Sequence, residues 1–363
     1  MDKILWLILL HKAWFSHADF KKISGELDDF WFLYREILEN KIQKFPWMTD
    51  EKWRKIRENV SKISPTHFEK ILREKEIQII TLESEQYPEK LKNIKQAPYM
   101  LYVRWNLKEE RKMLGIVWSR KNTNYGKKVL ENIIPELIQS GCWIISGGAF
   151  GIDAIAHEIT LMQGWYTISV FGCSVDIYYP SQNTILFEKI LEKWWALVSI
   201  FPLGSKAEPY MFPVRNEIVA ALSDGIIIPE AWRKSGTLIT AWLALEHWRD
   251  VFVVPWDIFR ETSEWCNELI SRGEGKCVSS AREILEEYFG EISRVNTSLF
   301  SQKVFDTEEK KIVYNAISEW YNTPDSIWEN SDLTIDTIIM TLALLEIEWY
   351  LQLWSWWKYE IIC

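Results

Sequence analysis

Glycine is in short supply in this sequence. Its 363 residues include 15 Gly beside 22 Trp, whereas ordinary usage of about 7% would supply roughly 25 glycines. Paired cysteine is missing: Cys142, Cys173, Cys266, Cys277 and Cys363 are scattered, with no Cys-x-x-Cys. That excludes a disulfide framework or a structural zinc site of the usual spacing and fits a reducing compartment. The five histidines form no metal constellation. His157-Glu158 opens like a zinc-protease helix, but Leu161 stands where the second His belongs. No metal and no cofactor are expected. Long apolar runs are absent near the start, where Ile4 to Leu10 is the longest. A membrane span needs about 20 apolar residues, and a signal peptide needs a basic start and a cleavage site. A cytoplasmic chain with no membrane partner is the expectation. Positive charge is scarce too: 42 Lys and Arg against 51 Asp and Glu leave a net charge of −9. Proteins that coat nucleic acid are usually basic, so any anion site here must be a local basic pocket on an acidic body.

Strong alternation is present. Between residues 105 and 290, short apolar runs (Met113–Val117, Cys142–Ser146, Tyr166–Phe171, Leu197–Ile200, Gly225–Ile228, Val251–Val254) alternate with amphipathic stretches (Gly126–Ile138, Ile152–Met162, Thr184–Glu192, Arg215–Leu222, Leu238–Glu246). Short buried strands with helical crossovers predict an α/β, Rossmann-like, doubly wound and mostly parallel sheet. Before it, residues 1–95 read as a small helical domain of the helix-hairpin-helix or sterile-alpha-motif kind, or as a solvated helical appendage. Glu51 to Val60 is amphipathic, and Ser64-Pro65 starts a helix with Pro at its first position. The α/β domain is assigned to residues 96–292 and a linker to 293–305. Residues 306–363 carry three helices and a hairpin, the pattern of a winged helix. Its third helix presents Ile335, Ile338, Ile339, Leu342 and Leu345 as one stripe and has no Lys or Arg, which favours packing or protein contact over reading DNA.

In such sheets ligands bind beyond the carboxyl ends of the strands. The loops there combine small, hydroxyl and basic residues: Ser119, Arg120, Lys121; Ser146, Gly147, Gly148, Gly151; Gly172, Cys173, Asp176; Phe212-Pro-Val-Arg-Asn216; and Glu230 to Thr237, with Lys234-Ser-Gly-Thr opening a helix. Backbone N–H groups at helix N-termini, reached over loops of low bulk, hold phosphate. Arg215 or Lys234 alone reads as a solvated charge; several basic strand ends together predict an anion site. Asp153 reads as a helix cap and Asp176 as a residue that orders its loop.

The tryptophans fall at punctuation. Trp165 follows Gly164, Trp194-Trp195 fills a helix-to-strand turn, and Trp248 and Trp256 flank a strand. Trp354 and Trp356-Trp357 sit in a hairpin-like segment, and Trp118 stands where the first loop should be bare. Turns and helix ends want a positive φ or a missing Cβ. Three readings compete: an aromatic-rich core, base-stacking platforms, or UGA codons that some bacteria translate as Gly and that are rendered here as Trp. The third predicts the turn positions.

Taken together, the motifs resemble the DNA-processing protein A (DprA/Smf) family. They are Ser119-Arg120-Lys121 before Tyr125-Gly126; Ser146-Gly147 to Gly151-Ile-Asp-Ala with His157; Asp176 with Tyr179-Pro180 and Asn183; Phe212-Pro213 with Arg215-Asn216; Lys234-Ser-Gly-Thr-Leu-Ile-Thr-Ala241; Val254-Pro255; and Cys266-Asn267. The family pattern has Gly where this chain has Trp105, Trp118, Trp165, Trp242, Trp248, Trp256 and Trp265, and in the hairpin around Trp349 and Trp354–Trp357. Ile200, Pro229 and Glu217 depart from the pattern, Glu217 by replacing a common Arg. The resemblance implies single-stranded DNA binding, a homodimer, and loading of a RecA-type recombinase during natural transformation, with no bond made or broken. It also implies that Arg120, Arg215 and Lys234 hold phosphates, that Gly147, Ser235 and Gly236 supply N–H groups, and that Phe212 stacks on a base. Ser119, Lys121, Gly151, Asn216 and Thr237 complete the expected site. The alternative is a nucleotide enzyme of the lysine-decarboxylase-like (nucleoside monophosphate phosphoribohydrolase) type. Its Pro-Gly-Gly-x-Gly-Thr-x-x-Glu loop is not matched here, and Thr240 stands where the Glu should be.

Overall fold

The computed structural model describes residues 3–24, 29–117, 123–231, 236–255, 264–290, 307–318, 321, 323–347, 351–355 and 358–361. These belong to two compact units, Met1–Ile292 and Ser293–Cys363.

The first unit opens with five helices: α1 (Lys3–Lys12), α2 (His17–Ile23), α3 (Phe30–Leu38), α4 (Asp50–Val60) and α5 (Pro65–Glu74). Residues Leu5 to His11 of α1 are all buried. A helix apolar on every side is a central helix, and α3, α4 and α5 pack against it. Helix α4 is amphipathic as expected and buries Trp53, Ile56 and Val60. Pro65 takes the first turn of α5, where its missing N–H costs nothing.

A nine-stranded sheet follows. Its elements are β1 (Ile77–Thr81), α6 (Glu89–Lys92), β2 (Met100–Arg104), β3 (Met113–Ile116), α7 (Asn124–Gln139), β4 (Trp143–Ser146), α8 (Ile152–Met162), β5 (Thr167–Val170), α9 (Thr184–Glu192), β6 (Ala196–Ser199), α10 (Met211–Leu222), β7 (Gly225–Ile228), α11 (Gly236–Glu246), β8 (Asp250–Val253), α12 (Glu264–Ser271), β9 (Lys276–Cys277) and α13 (Ala281–Phe289). The order is β1-β2-β6-β5-β4-β3-β7-β8-β9. Strands β3 to β9 pair in parallel, whereas β2 runs antiparallel to both β1 and β6. Every residue of β3 to β7 is buried, because helices cover both faces. This is the doubly wound α/β sheet that the alternation predicts. Helix α10 starts four residues before the expected Arg215, since Pro213 falls within its first turn, where proline is tolerated.

Strands β4, β5 and β6 step outward from β3 on one side; β7 then returns to pair with β3 on the other. The β3/β7 boundary is therefore the topological switch point, where the loops from adjacent strands diverge and leave a crevice.

Several helices end alike. Gly141, Gly164 and Gly273 lie two residues beyond α7, α8 and α12 with φ of 89°, 72° and 70°. In each, the glycine N–H bonds the carbonyl three residues back, and the next N–H reaches the carbonyl five back. This closure satisfies orphan carbonyls of the last turn. Trp14, Trp194 and Trp248 occupy the same position after α1, α9 and α11, with φ of 91°, 63° and 58° and the same two hydrogen bonds. Trp105 is also left-handed, at φ 65°. A left-handed backbone at a residue with a Cβ costs roughly 1–2 kcal/mol. At the turn before β5 the left-handed residue is Gly164 and not Trp165, and Trp195 is buried beside Trp194. Trp118, Trp256, Trp349, Trp356 and Trp357 lie outside the described residues.

The second unit has α14 (Glu308–Ser318), α15 (Pro324–Glu329), α16 (Ile335–Ile347) and an antiparallel hairpin of β10 (Leu351–Ser355) and β11 (Lys358–Ile361). Its core holds Val313, Ile327, Ile338, Leu342, Leu345, Leu351 and Tyr359. The expected stripe on α16 is narrower than its pattern: Ile339 is 42% exposed, leaving the i, i+4, i+7 set of Ile338, Leu342 and Leu345. The 293–305 segment lies outside the described residues. Among the described residues, no helix is long and apolar enough to cross a membrane, and no three His, Cys, Asp or Glu side chains are grouped to hold a metal.

Candidate functional site

The two loops at the switch point are the ones with the most basic sequence. The loop leaving β3 carries Ser119, Arg120 and Lys121; the loop leaving β7 carries Lys234 and Ser235. These five residues lie outside the described set, but the flanks of both loops are defined. Thr123 caps α7, accepting the Gly126 N–H, and its hydroxyl donates to Glu230 Oε2 at 2.7 Å. Glu230 is wholly buried. This bond joins the two loops across the crevice. Gly236 and Thr237 begin α11, so that helix N-terminus faces the same end of the sheet.

Loop two, after β4, is held from three sides. Ser146 Oγ donates to the Ile116 carbonyl of β3 at 2.6 Å. Asn183 Nδ2 donates to the Gly148 and Ala149 carbonyls at 3.0 and 3.2 Å. Asp153 Oδ2 accepts the Ala149 N–H at 3.1 Å. Asp153 thus braces the preceding loop, and Gly151 at the helix start makes no side-chain cap bond. Gly148 and Gly151 have φ of 67° and 97°, which explains two of the few glycines retained.

Arg215 lies beneath this loop, 5% exposed. One guanidinium nitrogen donates to the Val170 carbonyl at 2.8 Å and also to the Gly147 carbonyl, and Nε donates to Asn216 Oδ1 at 2.9 Å. A Cβ on Gly147 would come within 2.0 Å of the guanidinium. Burial raises the Asp153 carboxyl above its ordinary value, and the Arg215 charge opposes that rise. The residue expected on the surface of the site is therefore part of its floor. Glu217, where the family pattern has a common Arg, faces His247 at 3.6 Å.

Phe212, in the first turn of α10, packs over Gly172, whose Cβ would sit 2.9 Å from the ring. Its centroid is 5.9 Å from that of Tyr179. Asp176 orders the neighbouring loops as expected, with Oδ1 accepting the Gly204 N–H at 3.0 Å. Three aromatics at these strand ends are exposed: Phe150 at 58%, Tyr179 at 45% and Tyr210 at 60%. Sequence reasoning passed over them as base platforms, and it also passed over the Thr123–Glu230 tie. The available signal was an aromatic in each of three strand-exit loops, where no hydrophobic periodicity calls for one. Thr240, in the place of the hydrolases' Glu, is buried.

The family model described as DNA recombination-mediator protein A matches residues 78–289. The chain belongs to that family. The match runs from β1 to α13 and leaves out the five N-terminal helices and the Ser293–Cys363 unit. Among curated relatives, DNA processing protein DprA of Bacillus subtilis is 36% identical over 59% of this chain and 72% of its own. The DprA of Streptococcus pneumoniae is 37% identical over 56% of this chain and 71% of its own. Protein Smf of Synechocystis is 38% identical, but the chain spans just 54% of its length. The crystal structure of Streptococcus pneumoniae DprA superposes with a TM-score of 0.65 at 28% identity, covering 79% of this chain and 99% of the other. DprA from Helicobacter pylori, whose structure is described in terms of a single-stranded DNA binding mode, gives 0.52 at 30% identity over 58% of this chain and 95% of the other.

Proposed function

We propose that this member of the DNA recombination-mediator protein A family binds single-stranded DNA along the carboxyl ends of β3 to β7. The observation that carries the reading is the coincidence at the switch point: the crevice of a doubly wound sheet opens between the two loops that hold Arg120, Lys121 and Lys234. On a body of net charge −9, such a pocket attracts phosphate locally. Exposed Phe150, Tyr179 and Tyr210 offer stacking faces, which serve single strands because a duplex keeps its bases stacked inside. Ser119, Ser235 and Thr237 supply hydroxyls, and Gly147, Gly151 and Gly236 let the backbone approach. Arg215, Asn216 and Phe212 set the floor beneath. No bond is made or broken in this reading. The bound strand is handed to a RecA-type recombinase during natural transformation, and the protein works as a homodimer in the cytoplasm.

The test is titration of the full chain with a labelled oligonucleotide at low salt. The single strand binds and the duplex binds far more weakly. Arg120→Ala and Lys234→Ala each weaken binding several-fold and lower the slope of log affinity against log salt by about 1, as loss of one phosphate contact requires. Unchanged affinity in both variants rejects the assigned site. Release of a free base from a nucleoside monophosphate would instead support the hydrolase reading.

A further inference from the structure

A second basic surface lies on the first unit, outside the strand-end loops. A cleft of 680 Å³ separates the N-terminal helices from the chain that leaves β6. Its walls carry Lys12, Lys62 and His67 from the helical side and Phe201 and Tyr210 from the sheet side, with Phe68 at its base. No Asp or Glu lines it, although the chain has 51 of them. Lys12, at the end of α1, is half-buried, and no carboxylate lies within 4 Å of its ammonium among the described residues. Burial pulls its pKa down, with the more distant Asp176 charge opposing. A partly desolvated cation without a partner gains from an arriving anion more than a solvated one does. Hydroxyls of Ser64 and Ser205 add polar groups around it.

This wall is continuous with the candidate site. Phe201, Pro202, Ser205, Tyr210 and Met211 line the cleft, and Phe212, the next residue, packs over Gly172 at the β5 exit. We infer that the cleft binds the continuation of the same single strand, with Lys12 and Lys62 on phosphates and Tyr210 against a base. The inference rests on the single-strand reading of the strand-end loops. It gives the N-terminal helices, which the family model does not cover, a share in binding.

The experiment compares oligonucleotides of about 6 and about 20 nucleotides, since a binding surface of this kind spans roughly 4–16. Lys12→Glu/Lys62→Glu weakens the longer strand about tenfold and leaves the shorter one within twofold. The single variant Lys62→Glu, at an exposed position, gives a smaller loss in the same direction and guards against misfolding of the double variant. Equal affinity of wild type and both variants for the longer strand overturns the inference, as does an equal loss for both lengths. If the wild type binds neither length, the strand-binding reading itself fails.

A second inference stands on the backbone alone. Among the described residues, six that are not glycine have a positive φ, and four of them are Trp. With 22 Trp in 363 residues, chance places fewer than one there. Trp14, Trp194 and Trp248 reproduce the helix closures of Gly141, Gly164 and Gly273 bond for bond. They are 52%, 68% and 94% exposed, so their indoles are not held by a core. The Trp105 and Trp194 rings merely stack on each other, 5.6 Å apart. The Trp265 indole N–H is buried with no acceptor. We infer that the native protein has glycine at 14, 105, 194 and 248, encoded by UGA. The gene then carries UGA at these four codons, and peptides from the host cell have the glycine mass. UGG codons there, or tryptophan masses, overturn it. In the all-Trp protein, Trp194→Gly and Trp248→Gly each raise the melting temperature by about 2 °C; a lower melting temperature in both counts against it. The cleft keeps Lys12, Lys62 and Tyr210 with Gly at position 14.

Discussion

Lowering the pH from 7 to 5.5 destabilises the first unit by about 4 kcal/mol, from the buried His11 and His157 and the half-buried His17, contributing roughly 1.3 kcal/mol each. His11, His17 and His157 are each held neutral. His17 donates from Nε2 to the Ile200 carbonyl at 2.9 Å and accepts the Tyr99 N–H at Nδ1. Both ring nitrogens are thus engaged in the neutral form. His157 Nδ1 meets Thr167 Oγ1 at 2.8 Å, and that hydroxyl donates to the Ile144 carbonyl, so Nδ1 carries the proton. His11 faces Tyr102 and the His17 ring. Burial, the dominant cause in all three, lowers His17 to about 4 and His157 to about 3, and drives His11 well below its usual value. The unfolded chain protonates them near 6.5. Their stability is therefore complete above 6.5 and drains away as pH falls toward the folded values. Asp153, Glu109 and Glu217 are raised by burial and work in the opposite sense. Against a total of about 5–15 kcal/mol, the loss lowers the melting temperature by roughly 10 °C. A melting temperature that stays level across this window contradicts the neutral assignments.

Arg215→Ala removes about 3–5 kcal/mol, the usual result of orphaning a buried charge and its partners. The substitution leaves the Val170 and Gly147 carbonyls without their donor and Asp153 without the charge that offsets its burial. Urea unfolding at neutral pH measures it as a fall in midpoint with slope retained. A loss under about 1 kcal/mol would show that loop two stands without this support. Strand binding, measured where the variant is folded, separates two roles. If Arg215 acts by positioning loop two, affinity falls while the salt dependence stays the same. If it reaches a phosphate, the salt slope falls by about 1 as well.

The sheet was legible because β3 to β8 are short apolar runs, each cut off by small residues and followed by a helical period. Their burial on both faces leaves the same mark on each strand. What the sequence hid was non-local. Nothing in Met100 to Arg104 says that this strand inserts antiparallel between β1 and β6, since pairing partners far apart in the chain leave no local pattern. Arg215 looked like a surface cation because charge is usually solvated; its burial depends on carbonyls from the loop after β4 and from β5. That the loops of the candidate site follow strands was legible from the pattern; the exposure of Phe150, Tyr179 and Tyr210 was not, since it is a property of the folded surface. Tryptophan at turns was the reverse case, an anomaly plain in the sequence whose meaning needed φ values.

The antiparallel insertion of β2 has one further consequence. With β1 and β2 in place, β6 is an interior strand, paired with β2 on one side and β5 on the other. Trimming the chain to the parallel core would turn β6 (Ala196–Ser199) into a raw edge, with three apolar residues, of the kind that recruits another copy. The N-terminal segment is in this respect a guard against self-association, and β1, with Gln78 exposed, is the edge strand on that side.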